Sequence, residues 1–85
     1  MKTTRESKFK NIVGPRVQMA RLAMKPKVSQ NDLAGRLARY DVQVNQAIVS
    51  KIESRTRICM DYEVQALAKA LKTTVAWLYG ETEKK

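Results

Sequence analysis

An all-α domain of five short helices is the fold this sequence predicts, and three observations lead there. The 85 residues include only three Gly and two Pro, with Leu, Ala, Lys, Arg and Val dominating. No segment alternates apolar and polar residues at period two for the length of a strand. Apolar residues instead recur at i, i+3, i+4 and i+7, the spacing of one helical face. A chain of this length forms one small domain and buries only about 60% of its unfolded surface, so its apolar residues must serve a single core.

Residues 1–13 are polar and basic apart from Phe9, Ile12 and Val13, and read as a flexible arm. Gly14-Pro15 opens the first helix, because Pro is well placed in a first turn. Val17, Ala20, Arg21 and Met24 fall on its inner face, where Arg21 requires a partner. The segment KPKVS ends the helix, since Pro26 disfavours helical geometry at Lys25. Ser29 caps the second helix, with Asp32 completing a weak capping box. Leu33, Ala34 and Leu37 form its inward stripe, which fades at RYDVQV, where Val42 and Val44 can pack inward. Asn45 caps the third helix. At about 100° per residue, Ile48, Val49 and Ile52 cluster on one side, with Gln46, Ala47, Ser50, Lys51 and Ser54 opposite. Glu53 lies on the boundary, close in azimuth to Val49. Beyond the loop SRTRICM, a cap at Asp61 starts a fourth helix carrying Val64, Leu67, Ala68 and Leu71. Thr74 caps a short fifth helix with Val75, Trp77 and Leu78, Gly80 ends it, and residues 81–85 form a frayed tail. The domain proper spans residues 14–80.

Charge is distributed unevenly. Seventeen Lys and Arg against eight Asp and Glu give +9. Residues 1–13 hold four cations and one acid, residues 14–57 nine and three, and residues 58–85 four and four. The surplus lies in the first two-thirds, which points to a half facing a polyanion and a neutral half; generic solubility charge is the plain alternative. With no His and one Cys, no zinc cluster is expected. Cys59 has no partner for an internal disulfide, which suits a reducing compartment, and reads as a small buried or half-buried side chain. MKTTRESKFK contains no apolar core of a signal peptide, and the longest uncharged stretch, TTVAWLYG, is too short to span a bilayer. A soluble, cytoplasmic (bacterial nucleoid-associated) protein is expected. No Ser/His/Asp set, paired carboxylates or Gly-rich phosphate loop occurs, so neither an enzyme nor a cofactor or small-molecule ligand is expected.

The outer arc of the third helix suits nucleic acid. An α-helix fits the DNA major groove, where Gln pairs with adenine, Lys donates to guanine and Ala meets the thymine methyl. Gln46, Lys51 and Ala47 match those roles, while Ser50 and Ser54 permit close approach. The same residue types also occur on ordinary solvated helices, Ala above all.

The runs VSQNDLAGRL, VNQAIVSKIESRTR and YEVQALAKALKTTVAWLYGE, in this order, resemble the Cro/lambda-repressor-type (XRE-like) helix-turn-helix family over about residues 14–80. The resemblance implies a five-helix bundle with DNA base contacts from Gln46, Ala47 and Lys51, and Ser50 on the same arc is a further candidate. It implies phosphate contacts from Gln30, Arg55 and Arg57, and the cap residue Asn45 is a further candidate. It also implies a partly buried ion pair between Arg21 and Glu53. Two departures stand out. Arg55 occupies a position where the family commonly has Gly. The connection between the second and third helices is about five residues longer than the usual turn of three or four, and the second helix can extend through Tyr40.

The expected function is that of a sequence-specific regulator of transcription. It would be a bacterial or phage repressor that binds double-stranded DNA as a homodimer, with half-sites about one helical turn apart. Trp77, Leu78 and Tyr79, in the neutral third, are the expected dimer contacts. Two other classes are an antitoxin or adaptor that grips a protein, and an RNA-associated basic domain. The latter is disfavoured because exposed aromatics interleaved with charge are lacking.

Overall fold

The computed structural model describes residues 8–85. Among these residues five helices form and no strand: α1 (Gly14–Ala23), α2 (Gln30–Ala38), α3 (Gln46–Glu53), α4 (Asp61–Ala70) and α5 (Val75–Leu78). Short polar side chains start three of them, as their spacing predicts. Ser29 Oγ accepts from Asp32 N at 2.9 Å while Ser29 N donates to the Asp32 carboxylate at 3.1 Å. The bond from Ser29 N, aided by the Ser29 hydroxyl, holds the Asp32 carboxyl below its usual range. Asn45 Oδ1 accepts from Ile48 N, and Thr74 Oγ1 from Trp77 N, each leaving one fewer free amide at a helix start.

α4 begins otherwise. Met60 is its N-cap and Asp61, the expected cap, is already helical. The free amide of Met60 is taken at 2.8 Å by Glu63, whose longer side chain reaches back over the first turn.

The inward stripes meet in one core. Val17, Leu33, Leu37, Val49, Ile52, Leu67 and Leu78 are fully buried, contributed by all five helices. α2 stops at Ala38, short of Tyr40, and the chain reverses at Asp41, which holds a left-handed φ of 64°. That reversal sends Val42 into the core and brings Val44 and Ile48 against it. No helix among the described residues is long and apolar enough to cross a membrane.

Three expectations change. The arm placed over residues 1–13 lies outside the described residues as far as residue 7, but its end is docked. Val13 is fully buried, and Lys10 N donates to Arg55 O at 2.9 Å. The tail is also tied down: Glu81 N donates to Ala76 O, Arg16 bonds to Thr82 O, and Lys85 lies 5.0 Å over the Trp77 ring. Finally, Trp77 and Leu78 are core rather than dimer contacts, at 3% and 0% exposure, whereas Tyr79 is 37% exposed. In this four-residue helix the two C-terminal residues, Trp77 and Leu78, lie against the core. Val75, at the other end, is exposed.

Gly14 fixes how closely α1 approaches α3. A Cβ there would collide with the carbonyl oxygens of Ile52 and Glu53 and with Arg55 Cγ, so only Gly lets the two helix ends meet. The amide end of α1 thereby faces the carbonyl end of α3, a favourable alignment of helix dipoles. Gly35, within α2, has open space around its missing Cβ. Opposite outcomes are therefore expected from the same change. Gly14→Ala should destabilise by about 1–3 kcal/mol, as overpacking does, and Gly35→Ala should stabilise by up to about 1 kcal/mol through helix propensity. Urea unfolding of the two variants checks both signs.

Candidate functional site

α3 is eight residues long, about 12 Å at 1.5 Å per residue. Val49, Ile52 and Glu53 are buried, while Gln46, Ala47, Lys51 and Ser54 are exposed and Ser50 is half-buried. Azimuth along the helix predicts this division. The exposed edge offers an amide, a methyl, a hydroxyl and an ammonium group, with no large or acidic side chain among them.

A polar network holds this edge from beneath. Arg21 Nε and Nη2 donate to the two carboxylate oxygens of Glu53 at 2.7 and 2.9 Å, and Arg21 Nη1 donates to Val28 O at 3.0 Å. Hydrogen bonding to Glu53 outweighs desolvation and keeps the Arg21 guanidinium firmly charged. Glu53 Oε1 also accepts from Gln30 Nε2 at 3.0 Å, and Gln30 Oε1 accepts from Gln46 Nε2 at 2.6 Å. A continuous chain of bonds therefore runs from the buried pair, through α2, to the first residue of α3. Gln30, assigned to phosphate by the resemblance, sits half-buried within that chain. Asn45 is exposed, with its carbonyl oxygen engaged as a cap.

The other end of α3 is closed by residues that periodicity does not single out. Asn11 Nδ2 donates to Ile52 O at 3.1 Å and to Arg57 O at 2.8 Å, while its Oδ1 accepts from Gly14 N at 2.9 Å. One side chain thus joins the start of α1, the end of α3 and the loop beyond. Its only signal in the sequence is an Asn three residues before a helix-opening Gly-Pro.

Arg55 and Arg57 are not free cations of a solvated loop. Arg55 adopts φ 66°, the left-handed conformation that Gly takes without steric cost. Its Nε donates to Asn11 O at 2.8 Å and its guanidinium lies 4.0 Å over the Phe9 ring, contacts that offset the backbone strain. Arg57 donates through both terminal nitrogens to Glu63 at 3.0 Å each. That partner cancels much of its attraction for phosphate. Glu63 is buried, which opposes ionisation. The bonds from Arg57 and from Met60 N prevail, so its carboxyl titrates below the ordinary 4.5. Nearby, burial pushes the Cys59 thiol up to about 11, so it stays protonated at neutral pH and is a poor nucleophile.

Compared with protein-family models, curated proteins and solved structures, the chain matches none.

The lowered Glu63 value sets the acid behaviour of the fold. The unfolded chain binds this proton first, so the Arg57–Glu63 contribution is complete above about pH 4.5 and is lost as pH falls through the folded value. Glu63→Gln should lower the urea midpoint at pH 7, and its deficit relative to the native chain should shrink below pH 4.5. A deficit independent of pH would mean that Glu63 acts by packing alone.

Proposed function

We propose that the chain is a sequence-specific, double-stranded DNA-binding regulator of transcription of the Cro/lambda-repressor (helix-turn-helix) type, acting as a bacterial or phage repressor. On this reading α2 and α3 are the helix-turn-helix pair, and α3 enters the major groove. The observation that carries it is the exposed edge of α3, in which Gln46 is oriented by Gln30 and Lys51 stands clear of any acid among the described residues. Gln46 then reads adenine, Lys51 guanine and Ala47 a thymine methyl, with Ser50 close to the backbone. Asn45 and Gln30 contact phosphate at the helix ends. Arg55 and Arg57 act chiefly as braces of the loop that follows.

The dimer contacts move from Trp77 and Leu78 to their exposed neighbours. Exposed Tyr62, Val75 and Tyr79, with buried Val64 at the base and Asp61 and Gln65 at the side, line a groove of about 610 Å³ along α4 and α5. Its occupant is a second copy of the chain. Residues 58–85 carry equal numbers of cations and acids, so this is the face on which two molecules of net charge +9 approach without strong repulsion. The same apolar face is what an adaptor would use to hold another protein.

Selection from a random duplex library at two salt concentrations tests the main reading. A motif with two-fold symmetry should be enriched, and affinity should fall steeply with salt as counterions are released. Gln46→Ala with Lys51→Ala should remove most of the sequence preference, about 1–3 kcal/mol for each lost base contact. Unchanged preference would reject α3 as the reading element, and the absence of any motif would favour the adaptor.

The dimer has its own test. Tyr62→Ser with Tyr79→Ser should convert a dimer to a monomer in sedimentation equilibrium, with helical circular dichroism unchanged because both side chains are exposed. A native chain that stays monomeric on a two-fold duplex would refute the second-copy assignment.

A further inference from the structure

A second cationic feature lies at the other end of α2 and shares no residue with the α3 edge. The C-terminal ends of α2 and α4 border a groove of about 270 Å³ lined by Arg36, Arg39, Tyr40, Lys69, Ala70 and Lys72. α2 has nine residues, which places this groove roughly 12 Å along the helix from Gln30. Four of its six lining residues are cations. None of the four is within 4.0 Å of a carboxylate among the described residues. Arg36 Nη1 donates to Ala70 O at 3.3 Å, and Lys69 Nζ sits 5.9 Å over the Tyr40 ring.

Cations near helix C-termini have an ordinary explanation, because they balance the negative end of the helix dipole. The magnitudes show that this explanation is insufficient here. Each helix end amounts to about −0.5 charge, so two ends contribute about −1, Asp41 in the adjoining turn adds one more, and Asp32, which interacts with Arg36 from one turn before it, adds a third. Against four cations, a surplus of about +1 remains around one groove. Two guanidinium groups supply the planar fork that matches tetrahedral oxyanions, two ammonium groups add point charges, and the Tyr40 hydroxyl is a further donor.

We propose that this groove is a phosphate-binding site, distinct from the α3 edge and independent of whether α3 reads DNA. Its ligand is a phosphate group, either a free phosphate or a phosphodiester of nucleic acid.

Amide spectra of the ¹⁵N-labelled chain, titrated with inorganic phosphate against chloride of equal ionic strength, test it directly. Saturable shifts confined to Arg39, Tyr40, Lys69 and Lys72 are expected with phosphate and not with chloride. A random-sequence duplex added in place of phosphate identifies the source. Shifts of these amides with duplex alone assign a nucleic-acid backbone, and shifts with phosphate alone assign a free anion. Arg39→Gln with Lys72→Gln changes two exposed residues and should weaken the response by about tenfold or more, through loss of charge-assisted bonds. Three results would overturn the proposal: no shift with either probe, an equal response in the double variant, or shifts spread over all surface cations, including Lys25 and Lys27.

Discussion

The buried contact between Arg21 and Glu53 is the constraint on which the arrangement of α1, α2 and α3 depends. Burying two ions is not itself a source of stability. Desolvation costs several kcal/mol per ion, and attraction offsets this only where geometry and remaining hydrogen bonds are complete. Here they are: all three guanidinium nitrogens donate, and Glu53 accepts from both Arg21 and Gln30. Removing one partner of such a pair typically costs about 3–5 kcal/mol, because the other charge is stranded. The pair also supplies direction. Apolar surfaces tolerate sliding, whereas a planar fork on a carboxylate fixes both distance and rotation. Contacts to Val28 O and Gln30 extend that fixed geometry to the loop before α2 and to its first turn.

The same bonding pattern decides where charge is available at the surface. The chain carries 17 Lys and Arg, but several are committed internally. Arg21 and Arg57 face buried carboxylates, Arg55 is held by Asn11 O and Phe9, and Arg16 lies 4.7 Å over Trp77. Among those that remain outward are Lys51 on the α3 edge, the cluster at the ends of α2 and α4, and scattered lysines such as Lys8, Lys25 and Lys27. An edge with a single ammonium group has little local attraction for a polyanion. On the proposed reading, discrimination there comes from the donor and acceptor pattern of Gln46 and its neighbours, while attraction comes from the field of the whole chain.

What the sequence made legible was local. Ser29, Asn45 and Thr74 cap helices because a short polar side chain satisfies an amide two or three residues on, a relation visible within one turn. Helical azimuth placed Arg21 inward and Glu53 at the core edge, and their pairing is what the resemblance implied. Asn11 was not legible, since its partners are 41 and 46 residues away and no periodicity connects them. Arg57 looked like a free basic residue because no periodicity connects a loop residue to Glu63, six positions on in the first turn of α4. Trp77 and Leu78 were misplaced for a related reason. In a helix of four residues the exposed and buried arcs cannot be told apart by spacing, and the packing of α4 decides.

The length of the connection between α2 and α3 bears on how firmly α3 is aimed. An eight-residue helix has no appreciable stability alone, so its direction comes entirely from its contacts. A long connection would ordinarily loosen that direction, but this one is anchored along its course. Tyr40 N and Val42 N both donate to Leu37 O, Asp41 turns the chain at φ 64°, and Val42 is buried. Beyond it, the Gln46–Gln30 bond ties the start of α3 directly to the start of α2, while Asn11 and Gly14 hold its end against α1. Helices α2 and α3 are therefore held together both by this anchored turn and by the Arg21–Glu53–Gln30–Gln46 chain.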